Sequence, residues 1–259
     1  MSDAVKLSFD GPIAIISYDR PEKHNAADDA MDRRLFEILA ELHGRPSLRA
    51  VIWRGEGKSF SSGRDTTQLG VRTEDISDFE FIERGHRGTR LLLTLPAPTL
   101  VALKGWVIGG SFERALLCDV RVAGESARMR LPEIEHGVVP DSGGTARLFQ
   151  MAGHGLAADL ALTGRVMTAE EALRHGVVSR VVPDEKLDET ALEIARAIAR
   201  APELTVKMFL RTLRRLANPL VEQSLAEESV AQSLVFASED YRELKAARAE
   251  GREPRYRGR

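Results

Sequence analysis

The chain has 259 residues, of which 43% are hydrophobic, so it can bury a substantial core as one large domain or as a domain with a helical appendage. The formal net charge of -2 gives no overall positive field, and we expect no nucleic-acid partner, although the basic run from Arg211 to Arg215 remains available to an anionic cofactor. A single cysteine, Cys118, excludes an intrachain disulfide and a multi-cysteine metal site. It is typical of a reducing compartment, and we expect a cytoplasmic protein.

The sequence predicts neither export nor membrane insertion. Residues 1–10 contain no apolar segment of the kind that a signal peptide needs. No later stretch approaches the roughly 18 uninterrupted apolar residues of a membrane span.

The first two thirds of the chain alternate between strand and helix patterns. Short β-branched runs at 13–18 and 50–53 predict strands. Between them, apolar residues recur on one face of a helix from Asp28 to His43, with Asp28 or Asp29 as its N-cap. Further on, the patterns predict helices over 81–95 and 111–118 and strands over 99–103 and 120–123. This alternation is typical of an α/β fold.

After a run at 177–182 the pattern becomes helical, with helices predicted over 185–200, 202–217, 219–237 and 239–248. We therefore divide the chain into a core, residues 1–196, and a helical C-terminal subdomain, residues 197–259. Apolar residues such as Leu204, Phe209 and Leu216 exceed what a surface helix needs, so we expect oligomerisation. The charged tail, 251–259, is expected to be mobile or ordered by a neighbouring subunit.

Two glycine motifs predict an anion-binding site made of main-chain amides. The segment 60–65 follows a strand and a glycine-rich turn, so Gly63 allows the N–H of Arg64 to approach a ligand. Gly109 and Gly110 stand where a helix begins, and its unpaired amides favour a negative oxygen. Two such amides form an oxyanion hole, although two glycines before a helix are most often only a turn.

Two glutamates, Glu113 and Glu133, follow these anion-binding features 20 residues apart. The pair suits acid/base chemistry beside an oxyanion hole. Taken singly, Glu113 could be a favourable first-turn charge and Glu133 a plain loop acid.

Three other patterns predict no catalytic function. The segment 55–59 resembles a phosphate-binding loop but has Ile52 where that motif needs glycine. The segment 141–144 resembles a serine-protease motif, but an α/β pattern without cysteine pairs favours Ser142 as a helix cap. The six histidines show no metal-binding spacing, so we expect no metal.

Taken together, these motifs resemble the crotonase family, the enoyl-CoA hydratase/isomerase superfamily, along most of the chain. The matching segments, in the family's order, are residues 20–26 (R-P-x-x-x-N-A), 61–65 (containing A-G-x-D), 109–113 (G-G-G-x-E), 131–133 (L-P-E), 140–147 (P-D-S-G-G-T-A-R), 162–165 and 169–172.

The resemblance implies a spiral of ββα turns with a helical trimerisation subdomain, assembled as a homotrimer or a dimer of trimers. It also implies an acyl-CoA substrate, with coenzyme A as part of the substrate and no separate cofactor. The N–H groups of Arg64 and Gly110 would hold the thioester oxygen. The other substrate-binding positions that the resemblance implies are Lys23, Ser62, Asp65, Thr66, Thr67 and Gly109.

Hydratases of this family use two glutamates that match Glu113 and Glu133, which favours hydration of a 2-enoyl-CoA. One carboxylate would take a proton from water while the other manages the proton at the α-carbon. Asp141, in place of the glycine of typical hydratases, resembles isomerases of the family and could crowd or replace the water. An enoyl-CoA isomerase using Asp141 or a glutamate is therefore an alternative, and a non-catalytic acyl-CoA-binding protein is another. The loop from Gly70 to Glu83 is expected to line the acyl pocket.

Overall fold

The computed structural model describes residues 4–68 and 75–259, and these form a mixed α/β fold with a helical C-terminal region. The strands are β1 (Val5–Asp10), β2 (Ile13–Tyr18), β3 (Ala50–Gly55), β4 (Thr99–Leu103), β5 (Trp106–Ile108), β6 (Val120–Gly124), β7 (Arg128–Arg130), β8 (Met167–Thr168) and β9 (Arg180–Val182). The helices are α1 (Asp29–His43), α2 (Asp78–Leu93), α3 (Gly109–Leu117), α4 (Gly144–Thr163), α5 (Ala169–Arg174), α6 (Leu187–Arg200), α7 (Glu203–Ala237) and α8 (Glu239–Glu250).

Two sheets organise the described strands. The larger has the order β1-β2-β3-β4-β6-β9. In it β1 runs antiparallel to β2, and each later neighbouring pair is parallel. The smaller has the order β5-β7-β8. Parallel strands need helical crossovers, which explains the alternation in the sequence and confirms the predicted α/β class.

Both faces of the larger sheet are covered by apolar residues. One face joins the main core, where Trp53 of β3 packs edge-on against Tyr18 of β2. The other face carries Ile52 and Leu100, which pack against α6 through Leu187. The predicted division after residue 196 falls inside α6, and it remains a prediction.

The start of α1 has the predicted cap. Asp28 has extended backbone, and its carboxylate accepts a hydrogen bond from the N–H of Met31. This bond satisfies one of the amides that the first turn leaves without a partner.

The prediction of separate helices over 202–217 and 219–237 is wrong, because α7 continues through Pro219. A proline inside a helix removes one hydrogen bond and strains the preceding turn. Buried residues lie on both sides of it, Leu210 before and Val221 and Leu225 after. Their packing keeps the helix continuous.

The tail after α8 folds back on its own chain, an arrangement that the sequence analysis did not predict. Asp240 accepts hydrogen bonds from the main-chain N–H groups of Arg257 (2.6 Å) and Gly258 (2.8 Å). The N–H of Arg255 donates to Glu243 (2.8 Å). The N-terminal half of α8 thus provides the carboxylates that hold the last residues.

Within residues 4–68 and 75–259, no helix has both the length and the apolar character of a membrane-spanning segment.

Candidate active site

The first amide of the predicted oxyanion hole belongs to Arg64. Ala27 pairs with Arg64 in an isolated parallel β-bridge. The N–H of Ala27 donates to the carbonyl of Gly63 (2.7 Å), and its carbonyl accepts from the N–H of Asp65 (2.8 Å). In a parallel bridge this pairing leaves the N–H of Arg64 on the opposite edge. Gly63 is required here, because its φ is +84° and a Cβ would lie 2.8 Å from the carbonyl oxygen of Ile108.

The second amide belongs to Gly110, at the start of α3. The first-turn amides of a helix have no intrahelical acceptor and carry the positive end of the helix dipole. Gly109 has a φ of +58°, and a Cβ on it would lie 2.9 Å from Oε1 of Glu133. Arg64 and Gly110 line one cavity, of about 190 Å³. The structure therefore brings both predicted segments together beside a glutamate.

A buried hydroxyl joins the two segments. Ser61 Oγ lies 2.7 Å from the carbonyl oxygen of Asn25 and 2.9 Å from the hydroxyl of Ser111 on α3, and it accepts from the N–H of Gly63 (3.1 Å). Sequence analysis did not identify Ser61, because a serine before a glycine loop carries no distinctive signal. Ser111, which replaces the last glycine of the family's turn, thus has a partner.

Glu133 lies in a 3-10 turn that follows Pro132, and its side chain lines the cavity. Its Oε2 atom is buried and has no hydrogen-bond partner in the described part of the chain. Burial, followed by the nearby charge of Asp141, raises the pKa of Glu133 to about 7. A carboxyl group in this state can both give and take a proton near neutral pH.

Asp141 also lines the cavity, and burial raises the pKa of its carboxyl group above the ordinary value. Its carbonyl oxygen lies 2.8 Å from Nε2 of His86, a fully buried residue of α2. The carbonyl can only accept, so Nε2 carries a proton. On the other side of the ring, Nδ1 lies 3.1 Å from the hydroxyl of Ser229 on α7. His86 therefore ties the main chain of Asp141 to two helices, a role that sequence analysis missed.

Glu113 lies behind this wall. It is fully buried and is absent from the cavity lining. Its Oε1 accepts from the N–H of Asp141 (3.1 Å), and its Oε2 accepts from those of Ser142 (3.2 Å) and Gly144 (3.1 Å). Burial, followed by the charges of neighbouring carboxylates, raises its pKa well above the ordinary value even against these donors. The carboxylate thus accepts hydrogen bonds from the main-chain amides at the N-terminus of α4.

A second carboxylate holds the same loop. Glu228 of α7 accepts from the N–H of Gly143 (2.9 Å) and from the hydroxyl of Ser224 (2.6 Å). Burial raises its pKa to about 7. Gly143, with a φ of +81°, is the N-cap of α4, and a glycine has no side chain with which to cap the helix. The prediction that Ser142 caps it is therefore wrong, because carboxylates from α3 and α7 satisfy the amides instead.

The residues assigned to coenzyme A form a separate polar cluster. Asp65 lies 3.3 Å from Nζ of Lys23, which is half exposed, and accepts from the hydroxyl of Thr67 (2.7 Å). The hydroxyl of Thr67, then its main chain and Lys23, lower the pKa of Asp65 to about 2 against the effect of burial. The N–H of Ser62 donates to the carbonyl of His24 (2.8 Å), and Thr66 is exposed. Ser62, Asp65, Thr66 and Thr67 flank Arg64 in the chain, and the contact with Asp65 brings Lys23 to them.

The part of the predicted pocket loop at 70–74 lies outside the described residues. The later part contributes Phe81 and Ile82 of α2 to the cavity. Across the described ranges, histidine, cysteine and carboxylate side chains form no group suited to a metal ion.

Comparison with known proteins gives consistent results. The family model described as enoyl-CoA hydratase/isomerase matches residues 8–259. A carnitinyl-CoA dehydratase of Salmonella arizonae is 37% identical over 100% of both chains, and a short-chain-enoyl-CoA hydratase of Clostridium acetobutylicum is 33% identical over 96% of this chain and 95% of the relative. The crystal structure of an enoyl-CoA hydratase/isomerase from Pseudoalteromonas atlantica superposes with a TM-score of 0.88 at 28% identity, covering 98% of this chain and 100% of the other.

Proposed function

Since this chain belongs to the enoyl-CoA hydratase/isomerase family, whose enzymes act on acyl-CoA thioesters, we propose that it is an enoyl-CoA hydratase that adds water in the syn sense to a 2-enoyl-CoA. The hydratase and dehydratase names of the two relatives support this direction of chemistry, because dehydration is the reverse of hydration. The enzyme needs no separate cofactor in this scheme, since coenzyme A is part of the substrate.

The amides of Arg64 and Gly110 hold the thioester oxygen. As water adds at the β-carbon, negative charge moves onto that oxygen and an enolate forms. Fixed amides stabilise this charge without reorganising, and removing one such donor typically costs about 3 kcal/mol of transition-state stabilisation. Because both donors are main-chain groups, the side chain at position 64 is free for another role.

The observation that carries the proposal is Oε2 of Glu133 in the cavity wall, which is buried and has no hydrogen-bond partner among the residues that the structure describes. A proton on this carboxyl, whose pKa is raised to about 7, is available to the α-carbon of the enolate. The second carboxylate takes a proton from water. Asp141 is the group in the cavity wall that suits this step, and Glu113, which sequence analysis paired with Glu133, orients Asp141 through the main chain.

A double-bond isomerase is the second candidate, and the position of Asp141 favours it. An isomerase moves one proton between carbons and needs no water, so a carboxyl that occupies the water position suits it. Asp141 lines the cavity while Glu113 does not. The two functions differ in whether water enters the product.

Mass spectrometry of products separates these functions. Incubation with crotonyl-CoA is expected to give a gain of about 18 mass units, the mass of one added water, while a 3-enoyl-CoA stays unreacted. Conversion of the 3-enoyl-CoA to its 2-enoyl isomer without mass gain establishes the isomerase instead. Binding of thioesters with no turnover of any of them supports a non-catalytic acyl-CoA-binding protein.

We also propose that the protein is oligomeric and cytoplasmic. Helix α7 carries exposed apolar residues, including Leu204 (70% exposed), Phe209 and Leu216 (78% exposed). Such a face favours burial against other subunits, in a homotrimer or a dimer of trimers. Light scattering after gel filtration measures this mass. A cytoplasmic location remains our expectation from the single cysteine.

A further inference from the structure

A fully buried histidine of α2, His86, has a polar partner at each of its two ring nitrogens. Its Nε2 atom lies 2.8 Å from the main-chain carbonyl oxygen of Asp141. A carbonyl oxygen has no proton to give, so Nε2 carries one. Whether the ring is neutral or positively charged therefore depends on Nδ1.

The partner of Nδ1 is the hydroxyl of Ser229 on α7. This hydroxyl lies 3.1 Å from Nδ1 of His86 and 2.6 Å from Oε1 of Glu83. It has a single proton to donate. The hydrogen bond from Ser229, followed by the charges of His86 and Arg90, lowers the pKa of Glu83 against the effect of burial, so this carboxylate is ionised and accepts. Ser229 therefore gives its proton to Glu83 and turns a lone pair toward Nδ1.

Nδ1 of His86 also faces the carboxylate itself, since Oε1 of Glu83 lies 3.4 Å from it. Without a proton, Nδ1 would direct its lone pair at two oxygen lone pairs, and both contacts would be repulsive. With a proton, Nδ1 donates to these oxygens and the ring becomes an imidazolium. A buried charge is costly unless it is paired and hydrogen-bonded. Here both N–H groups have acceptors, and one acceptor adjoins a carboxylate.

The other charged groups near this network have different partners. On α2, Nη1 of Arg90 lies 3.6 Å from Oε2 of Glu83 and favours the ionised carboxylate. On α7, Glu228 accepts from the main chain of the loop at 141–144, and Glu113 of α3 does the same. The carboxylate that contacts the ring of His86 is therefore that of Glu83.

A positive charge on His86 affects the side chain of Asp141. Burial raises the pKa of Asp141, and the charges of His86, then of Arg114 and Arg64, lower it. A carboxyl group must be ionised before it can take a proton from water. Both arginines are also bound to carboxylates of α1. His86 approaches from α2 instead, with Nε2 toward Asp141 and Nδ1 toward Glu83.

We propose, on the basis of the hydratase function above, that His86 is a buried imidazolium, held by Glu83 and Ser229, whose charge keeps Asp141 ionised as the base that takes a proton from water. Among the described residues that line the cavity, His86 is absent. It is therefore a positioning residue, which acts on the reaction through Asp141.

Nitrogen NMR of the histidine ring tests the charge without depending on catalysis. In protein labelled at histidine, both ring nitrogens of His86 are expected to carry slowly exchanging protons near neutral pH, and His86→Gln identifies these signals by their loss. A wild-type ring with one proton overturns the proposal.

Variants of α2 test the counter-charge. In Glu83→Gln, Nδ1 of His86 is expected to lose its proton near neutral pH, because an amide has no charge to hold it. Glu80→Gln is the matched control, an exposed glutamate about one turn earlier on α2, and it is expected to leave both protons in place. Two protons that persist in Glu83→Gln overturn the pairing with Glu83.

The pH profile of hydration tests the effect on Asp141. His86→Gln supplies an N–H donor without the charge, so the acid limb of kcat/KM for crotonyl-CoA is expected to move upward by about one pH unit. Glu83→Gln is expected to move it in the same direction and takes the place of His86→Gln if that variant does not fold, while Glu80→Gln leaves it unchanged. A merely structural histidine would lower the rate at every pH and leave the limb in place, which also overturns the proposal.

The two measurements separate this proposal from the function on which it depends. Hydration of crotonyl-CoA with an acid limb that His86→Gln does not move overturns the role of His86 and leaves the hydratase function intact. Two protons on the ring of His86 without hydration of any 2-enoyl-CoA overturn the hydratase function and leave the buried imidazolium intact.

Discussion

The main-chain N–H of Asp141 donates a 3.1 Å hydrogen bond to Oε1 of Glu113. Two carboxyl groups that sequence analysis assigned to one catalytic set are thus in different positions relative to the cavity. Asp141 presents its side chain to the cavity, and Glu113 holds the main chain behind it. The relationship makes Glu113 a positioning residue for Asp141.

Substituting the two glutamates is therefore expected to have different effects. Glu113→Gln replaces one oxygen by an amide NH₂ that faces a main-chain N–H, and a lost acceptor of this kind costs about 1–3 kcal/mol of folding stability. Glu133→Gln removes an oxygen that has no partner, so stability is retained while kcat falls about 10²- to 10⁴-fold. Urea unfolding and steady-state hydration of crotonyl-CoA measure both quantities. Equal stability of the two variants would contradict the positioning role.

The pH dependence of hydration follows from Glu133. If this carboxyl supplies the proton to the α-carbon, kcat/KM for hydration falls as the pH rises through about 7. On the acid side the rate falls when Asp141, the proposed base, takes up a proton. In the dehydration direction the same group acts as a base, so the rate falls as the pH drops through that value.

Asp141→Asn supplies the internal check on this assignment. The charge of Asp141 contributes to the raised pKa of Glu133, after burial, so the variant is expected to shift the midpoint to lower pH. A midpoint that stays in place or moves upward would remove Asp141 as a neighbour of the titrating group.

Local signals made much of this arrangement predictable. The Asp28 cap, the glycine at position 63 and the glycines before α3 each follow from backbone requirements that are visible within a few residues. His86 and Glu228 were not predictable, because each meets the loop at 141–144 from a helix that lies 55 or 85 residues away in sequence. The direction of Glu113 was missed for the same reason, since main-chain donors of the loop at 141–144 determine it.

Close packing around Glu113 makes Gly144 a required glycine. A Cβ at this position would lie 2.4 Å from Cα and Cβ of Glu113, so the helices must separate to admit it. Gly144→Ala is expected to lower stability by about 1–3 kcal/mol and to reduce activity, because Asp141 moves with the loop. Gly155→Ala, in the part of α4 that follows the non-helical Gly153, is the control, since no atom of the described residues lies within 4 Å of its Cβ position. It is expected to leave the melting temperature unchanged or slightly raised, and an equal loss in both variants would contradict the packing explanation.

Glu228 gives the protein a stability that decreases with pH. Its pKa rises from an ordinary value of 4.5 to about 7 on folding, chiefly through burial, so the folded protein keeps a proton that the unfolded chain releases. Stability that depends on this group is therefore full below pH 4.5 and is lost as the pH rises toward 7.

Glu228→Gln keeps an oxygen for the N–H of Gly143 and places an NH₂ group toward Ser224. The variant is expected to be more stable than the wild type at pH 8, on the order of 2 kcal/mol, and nearly equal to it at pH 4.5. Urea titrations at the two pH values measure this difference, and Glu227→Gln, at an exposed position of the same helix, should show no such dependence. A Glu228→Gln protein that is less stable at pH 8 would mean that the carboxylate is held there in its charged form.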